Sequence, residues 1–109
     1  MRIWDITPKY LCYKHLLAEH RELHAIWTIL TQNKKGYRQH PETKRWVGKL
    51  KALYLRHERL VKEMERRGWQ HRSPLDKKLA KGRGQQDVYI DSIKQQKELL
   101  TNKNCDCLL

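Results

Sequence analysis

The feature that most constrains this chain is a stripe of apolar residues between positions 46 and 64. Trp46, Leu50, Leu53, Tyr54, Leu60, Val61 and Met64 recur at steps of three and four, the period of one helix face. Thr43 is placed to cap the start of that helix and Gly68 to stop it. Lys49, Arg56, Arg59, Arg66 and Arg67 form a cationic opposite face. His57 interrupts the stripe and reads as a core histidine with a partner. Trp46, Tyr54 and Trp69 have the rings to stack on nucleic-acid bases, but Trp46 and Tyr54 sit on the stripe, so a core role is expected for them.

A second long helix is expected from about residue 8 to about residue 31. Thr7-Pro8 suits a helix start, because Thr can cap and Pro tolerates the first helical position. Its stripe is Leu11, Leu16, Leu23, Ile26 and Leu30, widened by Cys12, Trp27 and Ala18. Gly36 is available for a left-handed turn after it. Residues 1–7 read as an extended arm. Ser73-Pro74 starts a short third element, Lys81-Gly82-Arg83-Gly84 is a break, and a last helix runs from about Asp91 to about Leu100, docking through Ile93, Leu99 and Leu100. Residues 101–109 are expected to be a loose tail. Outside the arm, only Val88-Tyr89-Ile90 hints at a strand. The expected fold is all-α: a single domain over 1–109, two long helices and one or two short ones.

Charge narrows the class of partner. The chain has 24 Lys and Arg against 12 acidic residues, a formal net charge of +12, which suits a polyanion, and nucleic acid is the commonest one. An anionic membrane surface is disfavoured, because no helix pairs a Lys/Arg face with an unbroken bulky apolar face. The opening M-R-I-W-D-I-T-P-K lacks the apolar segment of a signal peptide, so a cytoplasmic protein is expected; separately, a monomer is expected. Of the cysteines, Cys105 and Cys107 supply two of the roughly four ligands a metal site needs. His71 or His57 are possible further ligands, but nothing in the spacing selects them. Reduced thiols on a frayed tail are the simpler reading.

His15, Glu19 and Glu22 stand at i, i+4 and i+7 and share a face with Ala18 and Ile26. Spacing alone reads as an intrahelical salt-bridge pattern. The run His15-Leu16, Ala18-Glu19, Arg21-Glu22-Leu23 and Trp27, however, resembles the first helix of the pyrimidine-dimer DNA glycosylase family, the phage endonuclease V type of repair enzyme. A second block, residues 49–69 ending in Gly68-Trp69, is similar to that family's long helix. The resemblance spans roughly the first 75 residues and suggests a shorter, cellular-type member.

The resemblance implies a glycosylase with β-elimination lyase activity on damaged duplex DNA, in which the chain's own terminal amine is the nucleophile. Met1 falls on that position and Glu22 on the catalytic glutamate. Arg21 falls on the arginine beside it, His15 on a histidine implicated at the site, and Arg2 on an arginine just after the terminus. Viral members start with Thr before that arginine; here Met1 directly precedes Arg2, and a backbone amine serves equally from Met. An α-amine has a reference pKa of about 8 against about 10.4 for lysine, so a useful fraction is neutral at pH 7. This chemistry implies no metal and no diffusible cofactor. Lys34, Lys35, Arg38, Lys44, Arg45, Arg66, Arg67 and Arg72 are the candidate phosphate contacts; the plain alternative for each is a solvated basic surface. The rival functions are a non-catalytic nucleic-acid-binding module on the same scaffold and an adaptor for an acidic protein.

Overall fold

The computed structural model describes residues 1–70, 73–103 and 105–109. It is all-α: α1 is Tyr13–Thr31, α2 is Pro41–Lys44, α3 is Leu50–Arg66 and α4 is Ile93–Thr101, with single 3-10 turns at Pro8–Tyr10 and Lys77–Leu79. Among the described residues the only β-type pairing is an isolated bridge between Lys49 and Gly82. The helices α1 and α3 pack against each other. Leu16, Leu23 and Ile26 of α1 meet Leu53, Leu60 and Met64 of α3, and the core is closed by Ile3 and Ile6 from the arm and Leu100 from α4. On α1 the buried set includes Ile29, whereas Ala18 is exposed.

Both long helices start later than their sequences suggest. The first is interrupted after the Pro8–Tyr10 turn, where Leu11 and Cys12 are extended, with ψ of 137° and 165°. In a continuous helix the Leu11 carbonyl would take a helical N–H. Here it accepts from Arg67 Nη2 at 2.6 Å, and the helix ladder begins with Leu16 N–H donating to Cys12 O. The second stretch is broken by Gly48 at φ +75°, in the left-handed region that favours glycine. Thr43 therefore lies in the short α2, and α3 begins at Leu50.

The Lys81–Gly84 stretch caps α3 rather than merely breaking the chain. Lys51 N–H donates to Lys81 O at 2.9 Å and Ala52 N–H to Arg83 O at 3.0 Å, satisfying donors that a helix start leaves orphaned. Gly82 is the residue that permits this: a Cβ there would lie 2.2 Å from the Gly48 carbonyl oxygen.

The cationic face of α3 is also not uniform. Lys49 and Arg56 are buried and paired, with Asp87 and Glu19 respectively, while Arg59 is exposed. Ser73 and Pro74 are not helical; the short turn begins three residues on, with the Asp76 carboxylate accepting from Lys78 N–H. The last helix matches expectation closely and starts on a Ser92–Gln95 capping box. Its docking residues are Leu100 and Gln96, with Ile93 and Leu99 exposed. Val88, Tyr89 and Ile90 are exposed and form no strand. The tail turns back on the start of α1, where Leu108 N–H donates to Tyr10 O at 2.7 Å.

Candidate active site

The arm is held by side chains, not by a backbone ladder. Ile3 N–H donates to Glu42 Oε1 at 2.7 Å, Trp4 N–H to Glu19 Oε1 at 3.0 Å, and Asp5 N–H to Gln96 Oε1 at 2.7 Å. Successive backbone donors thus reach α2, α1 and α4. All the acceptors are buried, where an unmet polar group would be costly. Thr43 Oγ1 adds a contact to Met1 Sδ at 3.3 Å. The first residue is consequently fixed relative to α1.

Each clamping carboxylate has its own counter-ion. Arg56 grips Glu19 through Nε at 2.7 Å and Nη2 at 3.0 Å. Burial pushes the Glu19 carboxyl above its ordinary value, against the pull of Arg56 and the Trp4 N–H. Glu42 is held by Arg45, whose guanidinium also reaches Asp5, Ile3 O and Val88 O. Burial works against the Arg45 charge, but Glu42 and Asp5 outweigh it and keep its pKa above the ordinary value.

Met1 and Glu22 line the same pocket, a cavity of 640 Å³ completed by His24, Ala25, Thr28, Ile29, Gly36 and Tyr37. Glu22 is half-buried on α1 and Met1 half-buried at the end of the arm. The lining is mainly apolar, with Ala25 and Ile29 one and two turns beyond Glu22. His24 Nε2 lies 3.2 Å from His20 Nε2 and 3.1 Å from His57 Nε2, so linked imidazoles back one side. Tyr37, also in the lining, is 72% exposed and at φ +56°, a conformation uncommon for a side-chain-bearing residue and recurrent at functional sites.

The other candidates divide by position. Arg21, Lys34, Lys35 and Lys44 are exposed and, among the described residues, make no ion pair. Arg21 adjoins Glu22, and Lys34-Lys35 adjoins Gly36-Tyr37, so these charges flank the pocket-lining residues in the chain. Arg38 is half-buried, and its Nη1 is buried with no hydrogen-bond partner. Arg2 pairs with Asp91 at 2.8 Å and lies over the Trp4 ring. Arg45 is interior; all the donors of its guanidinium are engaged, which leaves none for a phosphate. Arg66 and Arg67 sit at the far end of α3, both bound to Glu63, and Arg67 also donates to the carbonyls of Pro8, Lys9 and Leu11. His15 does not line the pocket; its Nδ1 faces Cys12 and Cys107. Arg72 and His71 lie outside the described residues.

The sequence profile described as pyrimidine dimer DNA glycosylase matches residues 1–77. The chain belongs to the pyrimidine dimer DNA glycosylase family. No curated protein and no solved structure matches it significantly. A member of this glycosylase family is a DNA repair enzyme that binds damaged DNA, and the matched region contains the arm, α1, α2 and α3, hence every residue lining the pocket. In this glycosylase the arm and pocket also involve residues that the sequence pattern does not single out. Glu42 carried a signal, as the only carboxylate between Glu22 and Glu58. Gln96 and Tyr37 carried none, because the contact of Gln96 with the arm is long-range and the place of Tyr37 beside the pocket is set by how the loop after α1 folds.

Proposed function

We propose that this glycosylase also cleaves the strand, acting on damaged duplex DNA by imine formation at Met1 followed by β-elimination assisted by Glu22. The observation that carries this reading is the shared pocket of Met1 and Glu22, at the end of an arm clamped by buried acceptors. The neutral amine attacks C1′ of the damaged nucleotide; the C1′–N bond breaks, and the base leaves with the bonding pair and takes up a proton. The attached amine loses one proton, and its lone pair forms the C1′=N bond as the C1′–O4′ bond breaks and O4′ takes up a proton, leaving an open-chain iminium. Glu22 offsets the positive charge developing on the sugar, which is worth most in a water-poor site. It then takes a C2′ proton, the C3′–O bond breaks, and the 3′ phosphate departs. Water finally hydrolyses the imine and frees Met1.

A target C1′ is not reachable inside a stacked duplex, so the nucleotide must be extruded or the DNA bent. Tyr37 is suited to stack on a displaced base. Arg21, Lys34, Lys35 and Lys44 are suited to phosphates, and Arg38 brings a buried donor awaiting an acceptor. Pyrimidine dimers are the proposed lesion and the cell interior the proposed location.

The test is to incubate the untagged protein with dimer-containing, abasic and undamaged duplexes under borohydride, then map the cross-link. A reduced adduct on the Met1 amine is expected with the first two. An adduct on a lysine would move the nucleophile away from Met1, and none with abasic DNA would sink the imine mechanism.

A further inference from the structure

All three cysteines of the chain and His15 meet at one point. Cys12 immediately precedes α1, His15 lies within its first turn, and Cys105 and Cys107 come from the tail. Cys12 Sγ is 3.2 Å and Cys107 Sγ 3.3 Å from His15 Nδ1, and the ligand atoms of the four residues all lie within 4.8 Å of one another. We propose that Cys12, His15, Cys105 and Cys107 bind a zinc ion in a closed structural site, independent of the repair chemistry.

The geometry suits that ion. Zn–S bonds of about 2.3 Å and Zn–N bonds of about 2.0–2.1 Å put tetrahedral ligands roughly 3.5–3.8 Å apart, so only small adjustments bring the observed spacings to that figure. Three thiolates and an imidazole are a soft set that favours zinc over magnesium or calcium. Each cysteine gives up its proton on binding, so metal uptake releases protons to solvent. The resulting site carries one net negative charge in a protein of +12, and Lys14 borders it. Four protein ligands leave no open position for water or substrate, so the role is structural rather than catalytic.

Tail packing points the same way. The tail docks on the start of α1 without burying its terminal leucines, since Leu108 is 72% and Leu109 45% exposed. Apolar burial therefore does not explain its position. What the tail presents inward is Cys107, whose Sγ accepts the Cys12 N–H at 3.1 Å, the kind of backbone bond that stabilises a metal-bound thiolate. A zinc ion here joins the last residues of the chain to the residue preceding α1, the helix that carries Glu22. A linkage across so many residues constrains the unfolded chain strongly.

The rivals are a disulfide among the cysteines and metal capture by the cluster His20, His24 and His57. Untagged full-length protein, purified without chelator, is weighed by native mass spectrometry, and metal-free protein is titrated with Co²⁺ as a spectroscopic probe. About one zinc per chain is expected, with tetrahedral cobalt bands and thiolate-to-cobalt charge transfer. Cys105→Ser/Cys107→Ser should lose the charge-transfer bands and the retained zinc, while His20→Asn/His24→Asn should keep both. Should the cysteine variant fail to fold, the wild-type stoichiometry and cobalt spectrum still decide. A metal-free mass lower by two hydrogens, or cobalt bands without thiolate character, or bands lost only in the histidine variant, would overturn the assignment.

Discussion

The Glu42 carboxylate accepts the Ile3 backbone N–H at 2.7 Å while Arg45 holds both of its oxygens. This links the start of the chain to a buried ion pair rather than to a neighbouring strand. Removing the carboxylate leaves Arg45 with only Asp5 as counter-ion and leaves Ile3 N–H without its acceptor. Breaking a buried pair on one side typically costs about 3–5 kcal/mol, a large share of a small domain's stability. Glu42→Ala is expected to lower Tm sharply, and in the folded fraction to slow imine trapping. Glu42→Gln retains an acceptor and should do less of both. A folded Glu42→Ala protein that traps at the wild-type rate would mean that the clamp does not position Met1.

The long helices were legible because their periodicity is local: Leu16 to Ile26 and Leu53 to Met64 announce their faces without tertiary context. Their starts were not, because what ends them is remote. Arg67 takes the Leu11 carbonyl, and the Gly82 backbone reaches Gly48. The pairing of Met1 with Glu22 in one pocket was legible only through the family resemblance, since spacing along α1 is equally that of a salt-bridge ladder. The basic residues differ more in the fold than their uniform pattern in sequence suggests. Arg45 and Arg56 look like surface cations in sequence, and only the fold reveals that each neutralises a buried glutamate holding the arm. The tail cysteines were visible as a pair, but their neighbours Cys12 and His15 lie about ninety positions away, beyond the reach of any spacing rule.

DNA affinity should fall steeply with salt, because each neutralised phosphate releases counter-ions. With about five contacts the log–log slope is expected near −4 to −5. Neutralising exposed Lys34 and Lys35 together should flatten it by up to about 2. Arg45→Gln should leave the slope unchanged and lower Tm, since that guanidinium is interior. Titrations of an undamaged duplex from low to physiological salt check both; a flat wild-type dependence would remove the electrostatic model of DNA binding.

Glu63 predicts an acid limb of stability. Hydrogen bonds from Arg66 and then Arg67 hold its carboxyl below its ordinary value, outweighing the opposing effect of burial. A depressed folded pKa means that the unfolded chain protonates first as pH falls. The contribution is therefore full above the ordinary carboxylate value, about 4.3, and fades as pH drops through the folded value. Wild type should exceed Glu63→Gln by a constant margin of about 1–2 kcal/mol above pH 6, closing below about pH 4. Denaturant melts at several pH values measure the margin, and one that stays open in acid would contradict the pairing.

Glu22 separates chemistry from binding. The substitution Glu22→Gln keeps the shape of the side chain and its ability to hydrogen-bond, so the pocket it shares with Met1 should persist. It removes the negative charge that offsets the sugar cation and the base that takes the C2′ proton. Loss of a positioned acid–base group typically costs about 10²–10⁴ in rate. Binding should persist or tighten, because a carboxylate beside phosphates repels them. Arg21→Gln, one residue away and exposed, should show the opposite pattern, with weaker binding and a smaller loss of rate once DNA saturates the protein. Single-turnover cleavage and equilibrium binding on one lesion duplex measure both effects for both variants. If Glu22→Gln cleaves as fast as wild type, the carboxylate is an ordinary charge on α1 and the nucleophile must be assisted by another group facing the pocket.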